Sequence, residues 1–446
     1  MRIAKFTALS YIVNRSKIMK TICSFCGILM LIFLSFHSFA QPSKGAADAH
    51  FNDQNYEIAL TKHYLKLYRH DKTNPLYNER IGLCYLFLDD DKTLSIPYLK
   101  FVDTLKYRDP LISLYLGEAY FYAANYDKAE KKINQYLEEA KEIPEDKNRE
   151  ANNYLKYIKN SRILMNQPLD VSFENMGDNI NSKRSEFYPF VTPDGNLLFF
   201  SSNRKYISDF EILVKNSYYC KSEYGNWSKA KSLGSRINTE EDEQIVGIDY
   251  DGEYVLVFAN TIDAEFDILI SRSYRGRYRE AESIGKNINT PDIEMGAWLT
   301  ENEDTLYFAS NREGGLGGMD IYYSVKLPDG EYGLPVNIGE PINTPDDENF
   351  PRISREGNKM FFASSGHNSM GGYDIFTTTF DKITGKWSQP VNFGYPINNS
   401  YDNETITFSE DKRYAYLSAY RKDSYGYRDL YKVIFNDVDA VRVVFT

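Results

Sequence analysis

The chain has 446 residues, more than one ordinary core accommodates, so two or three domains are expected. Aromatic residues make up 15%, with 37 Tyr and 27 Phe, a composition that argues against disorder and favours strands with half-buried aromatic faces. The formal net charge is −11, and five of the 52 basic residues (Arg2, Lys5, Arg15, Lys17 and Lys20) fall in the first 40 positions, which contain no acid. The remainder carries 47 basic against 63 acidic residues, a net of −16, and such a surface repels phosphate backbones and argues against nucleic acid as a partner.

From Met19 the sequence MKTICSFCGILMLIFLSFHSFAQPSKG joins a lysine, an apolar run from Ile22 to Phe36 and small residues at Ser38 and Ala40. This pattern predicts a secretory signal peptide over 1–40, cleaved between Ala40 and Gln41, and hence a periplasmic protein; an uncleaved anchor is the alternative. Residues 1–18 are expected to come from an upstream start codon, since Met19 alone opens an ordinary signal. Cys23 and Cys26 fall in that segment without the spacing of a lipoprotein site. Cys84 and Cys220 fit no disulfide framework or zinc spacing, and two partly buried thiols are expected.

Over 48–166 the apolar period is helical, and Pro75, Pro97, Pro110, Pro144 and Pro168 punctuate helix pairs. The stretch from Leu114 to Ala140 resembles a tetratricopeptide repeat, with Leu116, Gly117 and Tyr120 on the first helix and Ala129 on the second. Gly82 and Tyr85 occupy the same places one period earlier; Ala59 marks a still earlier second helix, and Ala151 and Tyr154 a following first helix. Small residues there let paired helices approach closely. Leu94 stands where the earlier repeat should carry its small residue. The array is expected to be either a docking groove or a brace for the next domain.

From Val171 to Asn436 one pattern recurs five times, marked by Ile-Asn at 180–181, 237–238, 288–289, 342–343 and 397–398, a spacing of 51 to 57 residues. Each copy runs through an acid-rich loop, a short strand, a turn such as TPDGN or SREGN, an apolar strand such as LLFFSS or KMFFASS, and a third strand headed by an acid. A four-stranded sheet per period makes the blade of a β-propeller. Val171 to Gly177 (VSFENMG) matches the outer strand that the fifth copy lacks and is expected to close the ring. The fold class predicted is multidomain α + all-β: a short helical array followed, over 168–446, by a five-bladed propeller, with six blades as the alternative if residues 438–445 pair as well.

The segment TPDGNLLFFSSNR, with ASNR again at Ala309 to Arg312, resembles the TolB-type, WD40-like propeller repeat; Asn260-Thr261 and Gly366 depart from it. Five residues after the repeat asparagine stand Glu186, Glu243, Glu294 and Glu348, with Asn403 and then Glu404 in the fifth copy. The preferred expectation is that each carboxylate accepts backbone N–H bonds at the start of its blade; the alternative is a candidate binding ring that holds a cation or a basic peptide end. Arg204, Arg312 and Arg421 recur at one position and are expected to fork onto the acids heading the third strands, Glu211, Asp267, Asp320, Asp374 and Asp429. The runs GGLGG (314–318) and SMGGYD (369–374) are expected to be wide turns, with calcium beside Asp320 or Asp374 as a minor alternative. No catalytic constellation and no cofactor emerges, and only His367 lies in the propeller.

Helices followed by such a propeller resemble envelope proteins that end in an OmpA-like peptidoglycan-binding domain, some of which serve type IX secretion and gliding. The sequence reaches Thr446 without that domain, so peptidoglycan binding is not carried over. The resemblance implies a non-enzymatic periplasmic scaffold or adaptor whose partners are envelope proteins, held by the propeller face and helical groove, with the outer membrane reached only through partners. A glycan-binding or glycan-cleaving propeller is the competing expectation, and it requires tyrosines and two or three acids in one pocket.

Overall fold

A computed structural model describes residues 43–88, 91–106, 108–208, 212–223, 225–261 and 264–437. The expected signal peptide, Glu211 and residues 438–445, with the sixth blade they would have made, lie outside the described residues. Helices occupy Lys44–Asn52, Tyr56–Ile58 continuing through π-helical Ala59–Tyr64 into Leu65–His70, Pro75–Phe87, Ile96–Asp103, Leu111–Tyr122, Tyr126–Glu139 and Glu145–Leu164. Asn74 caps Pro75–Phe87 by accepting from the Tyr77 N–H, and proline suits the first helical turn because the N–H it lacks would have no partner there.

A Cβ on Gly117 would lie 2.7 Å from Ile133 Cγ1, and one on Gly82 2.7 Å from Leu99 Cγ, so both glycines permit close helix contact. Leu94 does not face Gly82. A 3₁₀ turn over Lys92–Ser95 delays the second helix and turns Leu94 outward, leaving Leu99 to fill the contact.

Five antiparallel sheets follow. The inner strands are Glu186–Val191, Asp242–Ile248, Glu294–Leu299, Glu348–Ile353 and Ile406–Phe408; they define blades 1 to 5 in chain order. The hairpin from inner to second strand has a positive-φ residue at the same place in every blade: Gly195, Gly252, Glu303, Gly357 and Lys412. The third strand of blade 5, Asp429–Phe435, pairs with Val171–Asn175, from Val171 opposite Phe435 to Asn175 opposite Tyr431. The expected latch forms, and the ring has five blades. Cys84 and Cys220 are buried free thiols, each pushed up to about 12 by burial.

Candidate functional site

The repeat asparagines tie neighbouring blades together. Asn343 Oδ1 accepts from the Ile321 N–H at 2.9 Å while its Nδ2 donates to the Ile321 carbonyl at 3.0 Å. Asn398 does the same to Ile375, Asn289 to Ile268 and Asn238 to Ser217. Asn181 does so to Leu430, which joins blade 5 to blade 1. A side-chain amide matches a peptide group donor for acceptor, so it extends the third strand of the preceding blade by one pairing. The sequence marks these asparagines by recurrence alone; their partners lie in the preceding repeat.

The repeated glutamates bond mainly within their own blades and the connectors leading into them, with one contact from Glu243 back to blade 1. Glu294 is fully buried and accepts from the Thr290 N–H at 2.8 Å, the Thr290 hydroxyl at 2.7 Å, the Ser310 hydroxyl at 2.9 Å and Arg312 Nη2 at 3.1 Å. Glu186 repeats this with Ser182, Ser202 and Arg204 Nη2, the last at 2.8 Å. Glu348 keeps the Thr344 and Ser364 bonds, and Glu243 those from Thr239 with an added contact to Asn216. In blade 5 Asn403, not Glu404, takes the position, accepting from the Asn399 N–H; Glu404 instead pairs with Arg428 at 3.1 Å.

Among the described residues, then, Arg312 and Arg421 do not fork onto the strand acids Asp320 and Asp429, and the Glu211 expected beside Arg204 lies outside them. Arg204 and Arg312 join the buried glutamates and also donate to the carbonyls of Ile180 and Ile288. Arg421, whose blade has no glutamate there, lays its guanidinium 3.9 Å over Phe173 of the latch strand. In blade 4, where Gly366 replaces arginine, His367 Nε2 contacts the Ile342 carbonyl at 3.0 Å, the bond arginine makes elsewhere. Without a cation beside it, Glu348 is pushed up to about 8 by burial.

Three of the strand acids, those of blades 3, 4 and 5, hold the loops before them. Asp320 accepts from the Leu316 and Gly317 N–H groups, Asp374 from Met370 and Asp429 from Tyr425. Asn337, Asn392 and Asn175 donate to the same three acids, so Asn175 of the latch copies the fourth strands of blades 3 and 4. Asp267 is partly buried and raised by desolvation. The glycine runs are joints as well as turns: a Cβ on Gly317 would meet the Thr344 carbonyl oxygen at 2.5 Å, and Gly371 and Gly426 press likewise on the connectors into blades 5 and 1. Loop N–H groups, rather than carbonyl oxygens, face Asp320. No group of three or more His, Cys, Asp or Glu among the described residues is placed to hold a metal ion.

The axis is filled. Tyr188 of blade 1 and Phe350 of blade 4 both take positive φ at bulges of their inner strands, and their rings meet 4.6 Å apart across the central space. Beyond them a cavity of about 20 Å³, enough for one water, is bordered by Arg352. The Arg352 guanidinium lies 4.8 Å over Trp298 and donates to the Ile406 carbonyl at 3.2 Å; burial pulls it down to about 10, which leaves it charged at neutral pH.

One face of the ring is taken by the chain's own helices. From Glu145–Leu164, Tyr157 donates to the Ser365 carbonyl, Asn160 to Ser369 and Ser161 to Met370, while Lys156 pairs with Asp346 at 3.2 Å. Tyr122 packs on Tyr401 at 4.9 Å, and Glu57 pairs with Arg184. The opposite face carries the hairpin turns. There a recess of about 490 Å³ where the hairpins of blades 2, 3 and 4 meet is lined by Tyr250, Trp298, Glu301, Asn302, Arg355 and Glu356 among others.

No family model matches this sequence, and no curated protein does. Solved structures similar to it include one described as TolB from Agrobacterium tumefaciens, with 16% identity over 58% of this chain and 78% of that one and a TM-score of 0.34. TolB from Acinetobacter baumannii has 14% identity over 58% of this chain and 56% of its own, with a TM-score of 0.36. A structure described as a glycoside hydrolase has 8% identity over 65% of this chain and 97% of its own, with a TM-score of 0.40. Likenesses this distant carry no argument about function.

Proposed function

We propose that this chain is a non-enzymatic scaffold or adaptor of the cell envelope that binds other envelope proteins. One observation carries the reading: the polar groups repeated in every blade, which could have formed a site, are bonded to each other and to backbone, and the glutamates are at most 2% exposed. The chain's offer to a partner is then its shape, a helical array seated on one face of a propeller whose other face and rim remain open. The export signal expected at 1–40 would deliver it to the periplasm, and no described helix is long and apolar enough to cross a membrane. Photo-crosslinkers placed at Phe87 on the helices and at Leu334 on the propeller rim, both exposed, test this in intact cells by mass spectrometry. Reproducible capture of the same envelope protein is expected; capture of none from either position overturns the proposal.

The recess favours a second reading, a glycan-binding propeller, because it sets Tyr250 beside Glu301 and Glu356 over the buried Trp298. Glu301 is partly committed, pairing with Arg355 at 2.6 Å. An oligosaccharide array probed with the purified protein decides this reading: binding that Tyr250→Ala abolishes supports it, and no binding removes it.

A further inference from the structure

The hairpin of blade 2 reads SRSYRGRYRE, four arginines within eight residues of a chain that is otherwise strongly acidic. Arg275 and Arg279 both lie over Tyr274, at 5.2 and 4.8 Å, and Arg272 pairs with Glu303. Arg277 instead borders a cleft of about 380 Å³ between blades 1 and 2, on the hairpin face away from the helices. Lys221, at the end of the third strand of blade 1, and Arg236, on the connector into blade 2, stand on the same cleft. All three cations are exposed, none makes an ion pair among the described residues, and no carboxylate lines the cleft. Its floor is aromatic: Phe199 stacks on Tyr219 at 6.4 Å and meets Tyr278 edge-on at 6.1 Å, and the Tyr278 hydroxyl is fixed to the Gly252 carbonyl at 2.5 Å.

We infer that this cleft binds an acidic peptide segment of a partner, with an apolar side chain on the aromatic floor and carboxylates on Lys221, Arg236 and Arg277. Three uncompensated cations around one cleft complement negative charge, and guanidinium forks suit carboxylates. The volume suits a few side chains. A sugar is less favoured because its hydroxyls need acceptors as well as donors, and the only side-chain acceptors on the cleft are serine and tyrosine hydroxyls, with no Asp, Glu, Asn or Gln. The inference deepens the scaffold reading and rests on it only in taking the ligand to be protein.

The test uses a fluorescein-labelled peptide alternating Glu with Phe and Leu, followed by anisotropy on the purified chain. Binding is expected to weaken at least about tenfold in Lys221→Glu/Arg236→Glu/Arg277→Glu, whose substitutions are all exposed, and to be unchanged in Lys382→Glu/Lys386→Glu elsewhere on the surface. On the unaltered chain, affinity should fall steeply as salt rises from about 0.05 to about 0.5 M. Equal binding by the triple variant, a salt-independent affinity, or binding of oligogalacturonate in place of the peptide overturns the inference. Because the readout needs no cellular partner, failure here leaves the in-cell capture result standing, and the reverse also holds.

Discussion

At the scale of single residues, the repeat shows what a buried carboxylate costs with and without a cation. Glu294 has Arg312 beside it, so Glu294→Gln removes one member of a largely desolvated pair and should destabilise by about 2 kcal/mol in urea unfolding. Glu348 has no arginine and is pushed up to about 8 by burial, so Glu348→Gln breaks no ion pair and should cost less than Glu294→Gln. The same burial gives a pH dependence. Glu348 and Asp374 are pushed up to about 8 and Glu118 to about 7 by desolvation, whereas in the unfolded chain these groups lose their protons near pH 4. Between those values the unfolded chain binds fewer protons, so stability should decline as pH rises from about 4 to about 8 and then level off. Thermal melts across that range check the slope, and Glu348→Gln with Asp374→Asn should flatten it. Lys412 holds a positive φ that three other hairpins give to glycine, and Lys412→Gly should gain about 0.5–1 kcal/mol by relieving it.

At the scale of elements, the strand that closes the ring is a separate test. Phe173 is partly buried, lies beneath Arg421 and is edge-on to Tyr431 at 6.4 Å, so Phe173→Ala should cost about 1–2 kcal/mol in chemical denaturation. Asn181→Ala breaks both bonds to Leu430 at the same closure, and limited proteolysis should then release the 171–175 strand earlier than in Asn289→Ala, whose joint lies inside the ring. The five-blade closure was legible before any coordinates because VSFENMG is an outer strand without a sheet of its own. The glycine-run joints were not legible: GGLGG says only that the backbone must turn, and the connector that presses on it belongs to the next repeat.

For the whole molecule, the docking of helices on the ring includes polar contacts from Tyr157, Asn160 and Ser161 to the carbonyls of blade 4, beside the pairs Lys156–Asp346 and Glu57–Arg184 and the Tyr122–Tyr401 ring contact. Asn160→Ala with Ser161→Ala should therefore leave both parts folded but split one calorimetric transition into two, with a larger radius of gyration in solution scattering. A single transition of unchanged midpoint would show that the ring contacts at Tyr122 and Glu57 suffice.

Hydrophobic period, turn chemistry and recurrence can be read along the chain, and by themselves they determined the class of every blade, the helix pairs and the closing strand, with five blades expected and six as the alternative. Pairing between groups far apart in the chain is not local. Only the tertiary structure decided that Arg204 and Arg312 reach the buried glutamates, that each repeat asparagine belongs to the blade before it, and that Tyr188 and Phe350 fill the axis. The same is true of the basic cleft between blades 1 and 2, whose cations come from a strand end, a connector and a hairpin that meet only when the ring is formed.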